Sequence, residues 1–301
     1  MFLQSNTDTT LAVFAIITSV AALSLGDAVI KTTGLALPLW QMFVLRSALT
    51  VPVLWWLVRR RAQTRVSGLG WILLRCVLLV AMWVSYYSAL PVMPLSLAAA
   101  AYYTGPLMIV ALAAVVAQRW PGLHVLLAIV CGFVGVVLII RPDMSGFAVG
   151  TILPIAAAGF YACAMVLTSA KCRDADPFVL ALALNIAFVV TGLGLGAVSG
   201  LEGSFILGPW QPIDMMLIAT VSLLAGLILI GSVGAAIAYQ KGPPATVAAF
   251  DYSYLVFSLI WGAVFFAEWP DRIAFIGIVI IMIAGLCALP RRTDPTSLDA
   301  P

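Results

Sequence analysis

Charge is scarce in this chain: Asp, Glu, Lys and Arg make up only 9% of its 301 residues, against about 25% in soluble domains. A water-soluble globular enzyme is thereby excluded. His124 is the only histidine, so a histidine-built metal site or a Ser-His-Asp triad has almost nothing to draw on. The five cysteines, Cys76, Cys131, Cys163, Cys172 and Cys287, never fall as C-x-x-C. All but Cys172 lie in apolar runs and read as small core side chains. No G-x-x-x-x-G-K-[ST] sequence occurs, which excludes that phosphate-binding loop and ATP hydrolysis through it. No cofactor is expected.

What is abundant is apolar: 63% of residues are hydrophobic, and the mean hydropathy is +1.14. One bilayer-spanning helix takes about 20 mostly apolar residues. Runs between charged or Pro/Gly punctuation give ten segments, at 10–33, 38–58, 70–90, 95–117, 122–140, 147–170, 177–199, 214–240, 244–267 and 272–289. An all-α integral membrane protein of ten transmembrane helices is expected. Alternate connectors collect basic residues unequally. Arg59, Arg60, Arg61, Arg65, Arg75, Arg119, Lys171, Arg173, Lys241, Arg291 and Arg292 fall on one side, and Lys31, Arg141 and Arg272 on the other. By the positive-inside rule both termini are expected to be cytoplasmic; the membrane expected is a bacterial inner membrane. The Arg59–Arg65 cluster reads as an anchor at anionic headgroups rather than a nucleic-acid site. Trp40, Trp55, Trp56, Trp71, Trp120 and Trp269 fall near span ends, as an interfacial belt would place them.

Shifted by 149 residues, 86–121 aligns with 235–270 without a gap. Among the identities are Pro94/Pro243, Tyr103/Tyr252, Trp120/Trp269 and Pro121/Pro270. Pro38-x7-Arg46 likewise pairs with Pro177-x7-Asn185. The chain then divides into two units of five spans, 1–143 and 144–301. Because five is odd, the second enters the membrane from the opposite side. Transporters built from such inverted repeats hold their substrate near the midplane between the halves.

The two copies ending in Gln118-Arg119-Trp120-Pro121, followed by Gly132-x2-Gly135, and in Ala267-Glu268-Trp269-Pro270 resemble the EamA repeat of the drug/metabolite transporter superfamily. Arg46 in Phe43-Val-Leu-Arg46 is similar to an arginine common in that repeat's second helix. The resemblance implies a ten-helix bundle with a central cavity and, as in YddG-type exporters, movement of amino acids or similar metabolites. The Gly-Glu usual in the family is Gln118-Arg119 in the first copy and Ala267-Glu268 in the second.

Four charged residues fall within spans and away from their ends: Asp27, Lys31, Arg46 and Asp251. At about 2.5–3.5 kcal/mol each, they must be paired or face a wet cavity. Asp27 lies about 10 Å and Arg46 about 12 Å below the outer ends of spans 1 and 2, so a salt bridge between them is expected. Asn185 and Asp251 fall at matching depths in the inner half. Asp251 has no basic neighbour in sequence, and either couples transport to protons or binds a substrate amine. Trp83, Tyr86, Tyr87, Tyr102, Tyr103, Tyr161, Tyr239, Tyr252 and Tyr254 form an aromatic set whose hydroxyls need partners.

The substrate-binding residues expected are Asp27, Arg46, Trp83, Tyr87, Tyr102, Tyr103, Tyr161, Asn185, Asp251 and Tyr252; no metal site is expected. Gly192, Gly196 and Gly200 form a G-x-x-x-G ridge for close helix contact. Gly105-Pro106 is expected to kink span 4. The leading reading is a secondary carrier, monomeric or homodimeric, for amino acids or amine-bearing metabolites. The alternatives are a lipid-processing membrane enzyme, with Asp174 and Asp176 as its only acidic candidates, and a channel or lipid flippase.

Overall fold

The structure, a computed structural model, describes residues 6–32, 37–60, 68–89, 101–118, 120–140, 152–202, 204–267 and 271–287. Arg61, Arg65, Arg119, Arg141, Glu268, Trp269 and Pro270, and the side chain of Lys31, lie outside them. The described residues form helices and connectors, with no strand. In chain order the helices are α1 (Asn6–Thr32), α2 (Leu39–Arg59), α3 (Leu69–Ala89), α4 (Gly105–Ala117), α5 (Leu123–Ile140), α6 (Ile152–Lys171), α7 (Pro177–Gly196), α8 (Met215–Lys241), α9 (Pro244–Asp251), α10 (Ser253–Phe266) and α11 (Arg272–Cys287).

Seven stretches are long and apolar enough to cross a membrane: Thr7–Ile30, Leu39–Arg59, Leu69–Ala89, Ile152–Lys171, Pro177–Gly196, Met215–Lys241 and Pro244–Phe266. They fall on seven of the ten expected segments. The other three hold shorter apolar helices, Gly105–Ala117, Leu123–Leu138 and Phe275–Ala284. At 1.5 Å per residue, the 13 residues of α4 extend only about 20 Å, less than a bilayer's hydrocarbon core.

Local chemistry sets several helix ends. Asp176 accepts a hydrogen bond from the Phe178 N–H at 2.8 Å, with Pro177 opening α7. Asp214 accepts from the Leu217 N–H at 2.7 Å at the start of α8. These carboxylates satisfy amides that the first turn leaves unpaired. At the other end of α8, Gln240 is buried and donates through Nε2 to the carbonyls of Cys172 and Ala175, at 2.5 and 2.7 Å. The α6–α7 connector, where a lipid-processing enzyme would have placed its acids, is therefore held by a helix cap and a glutamine clamp.

In lipid, helices associate through close packing and side-chain hydrogen bonds rather than hydrophobic expulsion. The main pairings are α1 with α8, α3 with α6, α2 with α7, and α5 with α11; α1 also meets α10, and α4 meets α6. Counting α9 and α10 as one bent element, this set is unchanged when the first five elements are exchanged for the last five. Small residues permit the contacts. A Cβ on Gly192 would lie 2.8 Å from the Trp40 carbonyl oxygen, and one on Gly135 2.8 Å from that of Gly277. Gly196 faces the Trp40 ring, but Gly200 lies beyond the end of α7, so the expected three-glycine ridge has two working members.

Trp40 departs from the expected interfacial belt. It is buried, and its Nε1 donates to the Gly208 carbonyl at 2.9 Å. Beside it the Gln41 amide donates to the Gln211 carbonyl and accepts from its N–H, both at 2.8 Å, which fixes the long α7–α8 connector on α2. Trp55, Trp56, Trp71 and Trp120 are exposed, as a belt requires. Arg59 and Arg60 stack on Trp55 and Trp56, and the Lys171 ammonium lies 5.5 Å from the Trp71 ring centroid.

Among the described residues, Gln118 and Ala267 are the non-glycine residues with positive φ, at 51° and 54°, and each follows the end of a helix, α4 and α10. They are partners under the 149-residue shift, and they stand where the resembled family carries glycine. A side chain costs about 1–2 kcal/mol in this left-handed conformation. Ala267→Gly is therefore expected to stabilise the folded protein by about 0.5–1 kcal/mol, after the added freedom of the unfolded chain is offset. A higher midpoint of thermal unfolding in detergent is the check; a lower one refutes the expectation.

Candidate functional site

Helices α1, α3, α6 and α8 and the bent α9–α10 element line a cavity of about 550 Å³, completed by Tyr102, Tyr103, Gly105 and Pro106 and by Leu184 of α7. Small-molecule sites occupy about 300–1,000 Å³. The chain is broken at the two places under the repeat where the cavity wall needs it. Tyr103 and Thr104 form a turn just before α4, and Tyr252 separates α9 from α10. Gly105-Pro106 thus opens a helix rather than kinking one, with proline in the first turn, where its missing N–H costs nothing.

Seven of the ten expected residues line the cavity: Asp27, Trp83, Tyr87, Tyr102, Tyr103, Tyr161 and Asp251. Each aspartate is met by two tyrosine hydroxyls, in different ways. Asp27 accepts from Tyr254 on Oδ2 and from Tyr87, at 3.5 Å, on Oδ1. Asp251 accepts from Tyr161 at 2.8 Å and Tyr239 at 3.3 Å, both on Oδ2. Among the described residues no hydroxyl caps Asp251 Oδ1. Tyrosine rings join the two acids without interruption. Tyr87 meets Tyr86 at 5.9 Å, Tyr86 meets Tyr102 at 5.1 Å, and Tyr102 meets Tyr161 at 6.0 Å between centroids. Trp83 stacks on Tyr87 at 5.3 Å.

Three expected residues do not line the cavity. Arg46 lies behind Trp83, and the expected Asp27–Arg46 salt bridge is not formed: no ion pair joins them among the described residues. The tyrosine hydroxyls have taken the carboxylate oxygens, and the guanidinium instead faces the rings of Phe43, Trp83 and Phe188, at 5.8, 5.4 and 5.1 Å. Such cation–π contacts stabilise by about 0.5–2 kcal/mol each; Arg46 Nε and Nη2 have no hydrogen-bond partner among the described residues. Asn185 is buried and donates to Ala181 of its own helix at 2.9 Å. The Tyr252 ring covers Gly132, where a Cβ would lie 2.6 Å from it.

One charged wall residue was assigned elsewhere from sequence. Arg75, counted above among the membrane-surface basic residues, is 1% exposed and lines the cavity. Its Nε donates to Thr168 Oγ1 at 2.7 Å, and that hydroxyl donates to the Ala164 carbonyl at 2.7 Å. Its position in the second turn of α3, amid apolar residues, resembles that of a residue reaching back to the headgroups. Tyr239 and Tyr254, which hold the two acids, were visible only as members of the aromatic set.

Residues 10–141 match the model of the EamA-like transporter family. No curated protein matches the chain. A solved structure titled only "Crystal structure of protein" superposes with a TM-score of 0.77 over 94% of this chain and 97% of that one. At 19% identity this likeness shows the fold alone. The apolar helices and the family match describe a multi-pass membrane protein whose first half is similar to small-molecule transporters.

Proposed function

We propose that the chain is a secondary carrier which binds amino acids or amine-bearing metabolites in the 550 Å³ cavity and exposes them to either side in turn, as an exporter of YddG type would. The observation that carries the reading is Asp251, a buried carboxylate in the cavity wall with both tyrosine hydroxyls on one oxygen. A buried carboxylate with no cation beside it holds a proton or a ligand cation. Asp251 thus offers one place for which a proton and an ammonium group compete, which couples their movements.

Alternating exposure needs two units that rock against each other, taken here as 1–143 and 144–301 in inverted orientation, with both termini cytoplasmic. The exchange-symmetric pairing of helices and the matched left-handed residues Gln118 and Ala267 support this division. Saturable counterflow is the test. Liposomes loaded with a metabolite that stabilises the purified protein are expected to accumulate labelled metabolite against its gradient. Flux that rises linearly with concentration and shows no counterflow would point to a channel and end the carrier reading.

A further inference from the structure

Arg75 is a cation in the cavity wall, and among the described residues no acid is paired with it. It is 1% exposed, its Nε is held by Thr168, and its Nη1 has no hydrogen-bond partner among the described residues. A buried cation left uncompensated costs several kcal/mol, so such a group persists where something supplies the counter-charge. Thr168, oriented by the Ala164 carbonyl, occupies the Nε edge, so the hydrogen-bonding demand left over is on the terminal side of the guanidinium. A guanidinium presented in this way suits a carboxylate, which it binds with paired, charge-assisted hydrogen bonds. Tyr161, which donates to Asp251, lines the same cavity as Arg75.

We infer that Arg75 is an anion subsite of the cavity, which grips the carboxylate of a zwitterionic solute whose ammonium lies at Asp251 Oδ1. This rests on the reading of the cavity as a carrier's binding site and narrows it, since a simple amine would leave Arg75 uncompensated. The competing role for Arg75 is to tie α3 to α6 through Thr168.

Three probes of one shape separate these roles: phenylalanine, its decarboxylated counterpart phenethylamine, and its deaminated counterpart 3-phenylpropionate. Affinities are read from the thermal stabilisation of the full-length protein in detergent. The wild type is expected to bind phenylalanine most tightly. In Arg75→Gln, affinity for both carboxylates is expected to fall about tenfold or more, while phenethylamine changes by less than about twofold. Arg75→Lys, which keeps the charge, is expected to recover part of the loss. Equal losses for all three probes overturn the inference in favour of the structural tie. The comparison within the wild type needs no variant: stabilisation by phenethylamine but by neither carboxylate overturns the inference and leaves the carrier reading standing. Stabilisation by none of the three overturns both.

Discussion

Asp251→Asn is expected to weaken binding of a cationic probe such as phenethylamine by about thirtyfold or more, the loss that follows from removing one partner of a buried charge pair. The substitution nearly preserves shape. The amide oxygen can still accept from Tyr161 and Tyr239, which share Oδ2 in the native protein. The –NH2 then faces the cavity where Oδ1 stood, so a donor confronts the ammonium. An amide also takes up no proton in this range, so a pH gradient imposed across proteoliposomes is expected to leave the residual flux unchanged. Retained affinity with a lost pH response would assign only the proton to Asp251. Unchanged affinity and unchanged pH response would remove it from the site and with it the observation on which the carrier proposal stands. Asp27→Asn is the matched comparison. Both Asp27 oxygens are engaged by tyrosines, so its replacement is expected to cost less probe affinity than that of Asp251.

Gly192→Leu is expected to abolish accumulation of folded protein, with Gly192→Ala costing about 1–3 kcal/mol by overpacking. A Cβ on Gly192 would sit 2.7 Å from Val44 Cγ2, 2.8 Å from the Trp40 carbonyl oxygen and 3.2 Å from Phe43 Cβ. The carbonyl is main chain and cannot swing aside, so α2 and α7 would have to separate. Gly194, two residues along the same helix, has nothing within 4 Å of its Cβ position and is the internal control. Gly194→Ala is expected to be neutral or slightly stabilising, because alanine favours the helix by about 1 kcal/mol. Thermal unfolding and size-exclusion profiles in detergent give the comparison. A well-folded Gly192→Leu protein of unchanged midpoint would mean that α2 and α7 do not touch here.

The helices were legible because hydropathy in lipid is a coarse and strong signal, and the ten apolar runs all contain helices. Asp27 and Asp251 stood out for the same reason: a charge inside such a run is costly and needs a purpose. Partnership was less legible. Equal depth suggested that Asp27 and Arg46 would bond, yet depth fixes one coordinate, and rotation about each helix axis fixed the others. Arg46 turned to three aromatic rings and Asp27 to two hydroxyls. Arg75 was misplaced because a basic residue two turns into a span looks the same whether it reaches for headgroups or is folded inward. What distinguishes the cases is Thr168, 93 residues away. Tyr239 and Tyr254 were hidden in the same manner, since their value lies in carboxylates on other elements.

The buried amide of Gln240 has a mechanical corollary. By holding two carbonyls of the preceding connector, it rivets the hairpin of α6 and α7 to the tip of α8, so that three helices share one lever. A fluorophore attached at Asp174 would then report the swing of α8, although it sits on a different stretch of chain.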